Sequence, residues 1–120
     1  MKWFLLSLII LSNHCWAAEW WSNDPATNSL MIASNAVIIA DWAQTRHIAD
    51  SENFYEKNKI LGPNPSTSDV NRFFLASLFM HNIVGYMLPD TYKKVYYGGQ
   101  FSYRLRVVKN NAEIGIQFKF

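Results

Sequence analysis

Cysteine is nearly missing from this chain: Cys15 is the only one in 120 residues. A disulfide framework is thereby excluded. Charge is scarce too. Only 17% of residues are charged, while 16% are aromatic and half are hydrophobic. A disordered chain has the opposite balance, with few aromatics and much charge. The net charge of +2 is small and mixed in sign, which excludes nucleic acid as an expected partner. There is no H-x-x-x-H, no G-x-S-x-G and no glycine-rich phosphate loop. No catalytic residue, metal or cofactor is therefore assigned. Internal repeats and low-complexity tracts are absent, and the length suits one small domain.

What is present begins with an export pattern. Lys2 precedes the apolar run Trp3 to Leu11, a polar patch follows, and Cys15-Trp16-Ala17-Ala18 supplies small residues for cleavage before Ala18. Positive charge, a short apolar run and a small-residue end form the secretory signature. The expectation is a signal peptide over residues 1–17, with an uncleaved N-terminal anchor as the alternative. A lipobox is disfavoured, because Asn13 and His14 stand where small residues are needed before Cys15. Cleavage before Ala18 leaves a mature chain without cysteine, and so without disulfides or thiol chemistry.

The remainder, residues 18–120, reads as a single small helical, membrane-associated domain. Trp20-Trp21 suits a membrane interface, or else closes over a core as a surface pair. A first helix is expected over about 29–49, entered after Pro25 and an Asn/Thr cluster. Asp41, Gln44 and Thr45 share one of its faces through their i, i+3, i+4 spacing. A loop of about twenty residues follows, from Asp50 to Ser68, in which Pro63 and Pro65 bar a regular helix. A second helix, about 69–88, is expected to be capped by Thr67 or Ser68 and stopped by Pro89. It is apolar nearly all round, with Ser77, His81 and Gly85 as a narrow polar or small stripe. A helix of that kind is deeply buried or in lipid. A domain this small has little room to encircle it, so a transmembrane helix is expected. Arg46, Lys57, Lys59 and Arg72 then place the central loop on the cytoplasmic side.

The last third supports two readings. Phe101, Tyr103, Leu105 and Val107 alternate with more polar neighbours, and Ile114, Ile116, Phe118 and Phe120 resume the alternation after Asn110-Asn111. That pattern favours a β-hairpin. A third helix beginning near Asp90 is the alternative, weakened by Gly98-Gly99. The fold class is accordingly mainly α: two long packed helices joined by a loop, plus a C-terminal third helix or β-hairpin.

Asp41, Trp42, Gln44, Thr45 and Arg46 form D-W-x-Q-T-R, and Tyr55, Glu56, Asn58, Leu61, Gly62, Pro65 and Ser66 form a spaced loop motif. Val70, Asn71, Phe74, Leu88 and Pro89 follow, then Asn111, Gly115, Ile116 and Phe118. In these residues the chain resembles an uncharacterised family of small bacterial and phage exported or membrane proteins. It departs from that pattern at Lys59, where the family carries proline after Asn58. The resemblance implies a third helix and an organisation, and no reaction.

The candidate site is polar: Asp41, Gln44, Thr45, Arg46, Glu56, Asn58 and His81. Asp41 is expected to pair with Arg46 or His81, with Glu56 folding back onto them. A hydrogen-bonded clamp holding the helices in register is the favoured reading. Ion or small-ligand binding through Asp41, Glu56 and His81 is the alternative, and chemistry at those residues a third. Arg104, Arg106 and Lys109 read as a solvated basic face, or as a contact for anionic lipid. Together these features point to an exported module of the cell envelope. The expected location is the inner membrane, with the periplasm as the alternative. The expected partners are membrane lipid and another envelope protein or a second copy.

Overall fold

Asp24 starts the first helix. Its carboxylate accepts from the Ala26 amide at 3.1 Å and from the Thr27 hydroxyl at 3.0 Å, and Pro25 occupies the first turn, where a missing N–H costs nothing. The computed structural model describes residues 18–120 and contains three α-helices, with no strand among the described residues. They are α1 (Pro25–Ala49), α2 (Thr67–Met87) and α3 (Asp90–Glu113). The signal peptide or N-terminal anchor expected over residues 1–17 lies outside the described residues.

α1 therefore begins four residues before the expected start at Ser29. α2 is capped by Ser66, which accepts from the Asp69 amide at 3.1 Å, rather than by Thr67 or Ser68. Pro89 separates α2 from α3 at a corner with almost no loop. α3 ends in a Schellman motif: the Gly115 amide donates to Ala112 O at 3.1 Å and the Ile116 amide to Asn111 O at 3.0 Å. Gly115 has φ +93°, the left-handed region that this motif assigns to glycine.

The β-hairpin reading of the last third is thus corrected: Asp90–Glu113 is one helix. The alternating apolar residues do not form a buried sheet face. Tyr103, Leu105, Phe118 and Phe120 are all exposed. The inward face of α3 is built instead by Lys93, Tyr97, Arg104 and Asn111, which recur at helical steps. Three of those four are polar, so the buried stripe leaves no trace in a hydrophobicity pattern.

The two long helices pack together as expected, and the third helix adds a larger contact. α1 lies mainly against α3 and less extensively against α2. Contacts between α1 and α3 keep a nearly constant sequence offset, as in Asp41–Arg104 and Gln44–Val108, so these two helices run parallel. α2 runs antiparallel to α1, as Ser34–His81 and Trp42–Asn71 show. A small apolar core of Ile38, Val70 and Phe74 sits between α1 and α2. Trp42 stacks on Phe74 at 6.2 Å between ring centroids, and Phe73 meets Phe74 edge-on.

The transmembrane expectation for the second helix is also corrected. Among the described residues, no helix is long and apolar enough to cross a membrane. Asn71, Arg72, Ser77, His81 and Asn82 interrupt the apolar residues of α2. The central loop packs down rather than wandering. The Glu56 amide donates to Pro63 O at 2.9 Å and the Gly62 amide to Asn58 O at 3.0 Å, closing it on itself. The chain after α3 returns along α1, where the Lys119 amide donates to Ala43 O at 2.9 Å and its ammonium pairs with Asp50.

Candidate functional site

Arg104 provides the partner that Asp41 requires. Its Nη1 lies 2.7 Å from Asp41 Oδ2, with the two side chains 18% and 9% exposed. The expected partners, Arg46 and His81, are not the ones used. The guanidinium also lies over the Phe74 ring, 5.9 Å from its centroid. Burial raises the Asp41 pKa above the ordinary carboxylate value, outweighing the lowering by Arg104, and the charge of Glu56 adds to the rise.

The other predicted residues divide into four groups. Thr45, Glu56 and Asn58 line one groove of 720 Å³ together with Asp41 and Arg104. Thr45 donates to Asp41 O at 2.8 Å, a bond within the helix. Glu56 Oε1 accepts from the Asn58 amide at 2.9 Å, and Asn58 Oδ1 accepts from the Ile60 amide at 2.9 Å, so both side chains brace the loop. Gln44 is fully buried and clamps α1 to α3. Its amide donates to Val108 O at 3.0 Å and its oxygen accepts from Asn111 Nδ2 at 3.1 Å. Arg46 takes no part in the groove lining, and its Nε is buried without a hydrogen-bond acceptor among the described residues.

His81 belongs to a separate network. Its Nε2 lies 2.9 Å from Ser34 Oγ and its Nδ1 lies 3.1 Å from the Tyr96 hydroxyl. A serine beside a histidine invites a catalytic reading, but the pair is packed between α1 and α2 and lines no groove. Ser34 Oγ also lies 2.9 Å from Met31 O and the Tyr96 hydroxyl 3.1 Å from His81 O, so each ring nitrogen faces a hydroxyl that has a second acceptor, and the tautomer follows from which hydroxyl donates to the ring. Ser34 is also completely buried. Burial, helped by the charge of Arg104, holds the His81 pKa down to about 4 and keeps the ring neutral. One step away, Asn35 and Asn82 exchange reciprocal amide bonds at 3.1 and 2.8 Å. Ser34–His81, Asn35–Asn82 and Trp42–Asn71 make the α1–α2 contact a polar ladder.

Two further residues escape sequence reasoning. Lys93 is 1% exposed, and its ammonium donates to Gly85 O and Glu19 O, each at 2.6 Å. It thus caps the carbonyl end of α2 and ties down the chain before α1. Burial lowers its pKa against the opposing charges of Asp90 and Glu19. Tyr97 packs so closely on Gly85 that a Cβ there would overlap the phenol ring, and its buried hydroxyl has no hydrogen-bond partner among the described residues. Tyr97, Arg104 and Asn111 stand seven residues apart, two helical turns. That spacing is the one signal in the sequence that could have found this face.

Among the described residues no three histidine, cysteine or acidic side chains converge as metal ligands. Comparison with protein-family models, curated proteins and solved structures finds no match to this chain.

Proposed function

We propose that the protein is an exported helical interaction module of the cell envelope, seated at the membrane interface by the outer face of α2. The observation that carries this reading is the polarity of that helix. α2 turns Asn71, His81 and Asn82 toward α1 and leaves Leu75, Phe79, Met80, Val84 and Met87 exposed. From Leu75 to Met87 the outward face carries no charge. A surface helix normally presents the opposite arrangement.

The two ends of the face favour a bilayer interface over a protein groove. At the carboxyl end the Trp20 ring packs at a tilt against Tyr86, 4.4 Å between centroids, and both Trp20 and Trp21 are about half exposed. Indole and phenol rings prefer the headgroup region, where an apolar body and a polar edge are both accommodated. At the amino end stand Arg72 and the exposed Lys57 and Lys59 of the loop, suited to anionic headgroups. A helix lying in the plane of the interface needs an apolar face and not a full span. The export pattern in the sequence agrees with such a location, and the polar clamps keep the three helices in register beneath it.

Flotation of the full chain with phosphatidylglycerol-containing vesicles tests the reading. Binding is expected, and Phe79→Ser with Met80→Ser is expected to weaken it by tenfold or more, about 1.4 kcal/mol or above. Undiminished flotation of that double variant would assign membrane binding elsewhere. A protein free of vesicles and dimeric by sedimentation would make a second copy the occupant of the face.

A further inference from the structure

Lys59, Ile60 and Leu61 form the turn at the tip of the central loop. Leu61 goes inward and packs against the core of Ile38, Val70 and Phe74. Ile60 does the reverse and is 83% exposed. An isolated isoleucine on a surface needs no explanation. This one is held out by a braced backbone. Its amide donates to Asn58 Oδ1 at 2.9 Å, the Asn58 amide donates to Glu56 Oε1 at 2.9 Å, and the Gly62 amide donates to Asn58 O at 3.0 Å. Gly62, at φ +79°, then turns the chain back. With Leu61 seated in the core and the turn closed by these bonds, the fold keeps Ile60 in water.

The tip is also continuous with the exposed face of α2. Ile60 and Leu61 border one open cleft with Asp69, Arg72 and Phe73. Arg72, Leu75 and Phe79 stand at i, i+3 and i+7, on one side of the helix. Ile60 therefore extends the exposed row of Leu75 and Phe79 beyond the first turn of α2. Lys57 and Lys59 are exposed on the same side of the loop turn as its apex, and Arg72 stands between the apex and the helix row. Of the acids nearby, Glu56 braces the loop, Asp50 pairs with Lys119, and Asp69 sits in the first turn of α2, where it suits the helix dipole. An aliphatic apex with long cationic side chains beside it matches the layering of an anionic bilayer. The apex can go deeper than the phosphates while the lysine stems reach back to them.

We infer that the loop tip is a second membrane anchor, with Ile60 inserted among the acyl chains of an anionic bilayer and Lys57 and Lys59 at the headgroup phosphates. The inference rests on the membrane reading of α2 and adds a contact which that reading does not require. The test uses the full chain and phosphatidylglycerol-containing vesicles. Ile60→Cys in a Cys15→Ser background carries an environment-sensitive fluorophore at the apex. Its emission is expected to shift to the blue on vesicle binding and to be quenched by spin labels placed on the acyl chains. Ile60→Ser changes only an exposed side chain and should weaken flotation about fivefold. Lys59→Gln should weaken it about fivefold as well. Wild-type chain that floats while the label keeps its aqueous emission would overturn this inference and leave the α2 face as the contact. Undiminished flotation of both Ile60→Ser and Lys59→Gln would do the same. Wild-type chain that does not float would overturn both readings.

Discussion

Arg104 reaches across 63 residues of sequence to place Nη1 2.7 Å from Asp41 Oδ2, joining the parallel helices α1 and α3. A carboxylate this buried pays heavily in desolvation, and its neighbour determines whether the helix pair tolerates it.

Removing the cation should therefore hurt more than removing the acid's charge. Arg104→Met leaves Asp41 buried with Glu56 as its nearest charge and should cost about 2–4 kcal/mol, the lower end applying because Arg104 keeps some solvent contact. Asp41→Asn should cost less at neutral pH. Because the folded pKa of Asp41 is raised, its contribution favours the fold at pH below 3.8 and is lost as pH rises through the elevated value. The stability gap between wild type and Asp41→Asn should shift in the mutant's favour over that rise. Urea unfolding at pH 3.5 and pH 7 measures both effects.

The His81 network should make the fold acid-sensitive in a defined window. The folded pKa of about 4 lies below the ordinary 6.5, so the neutral ring contributes stability above pH 6.5 that is lost as pH falls toward 4. The full depression corresponds to roughly 3 kcal/mol at most, at about 1.36 kcal/mol per unit. His81→Gln should be less stable than wild type at pH 7 and should lose less stability between pH 6.5 and 4. Parallel slopes for the two proteins across that window would exclude His81 as the group responsible.

Gly85 and Tyr97 form a matched pair. Gly85→Ala drives a methyl into the phenol ring and should cost about 1–3 kcal/mol, the usual range for overpacking. Tyr97→Leu should relieve much of that cost in the double variant. Tyr97→Phe alone removes a buried hydroxyl that has no partner among the described residues and should stabilise the protein by about 1 kcal/mol. Thermal melts of the four proteins form the cycle.

Lys93 closes the carbonyl end of α2, and Lys93→Met keeps the length of the side chain while removing the donor. Its loss should cost about 1–3 kcal/mol and expose the final-turn carbonyl of Gly85. Hydrogen exchange should quicken in the segment around Glu19 to Trp21 and at the α2–α3 corner, while the Asp41–Arg104 end of the bundle changes little. Uniform acceleration across all three helices would show that Lys93 holds the whole fold and not one corner.

The sequence by itself determined the helical character of residues 29–49 and 69–88, the prolines that break the chain between them, and the lack of cysteine chemistry after Cys15. These are local properties, written in propensity, periodicity and composition. It also singled out Asp41, Gln44 and Thr45, because polar side chains at helical spacing in an apolar helix need partners, and Glu56 and Asn58 through the spaced motif of the loop. Tertiary structure alone decided who those partners are. Arg104, Val108 and Asn111 meet α1 only because α3 is a helix running parallel to it, and the face of α3 that does so is polar. Alternating apolar residues of α3 imitated a strand, while Arg104 on the inside looked like solvated charge and Lys93 gave no signal. Burial by paired polar groups is invisible to any hydrophobicity scale, since the pairing that makes it tolerable comes from residues far away in the chain.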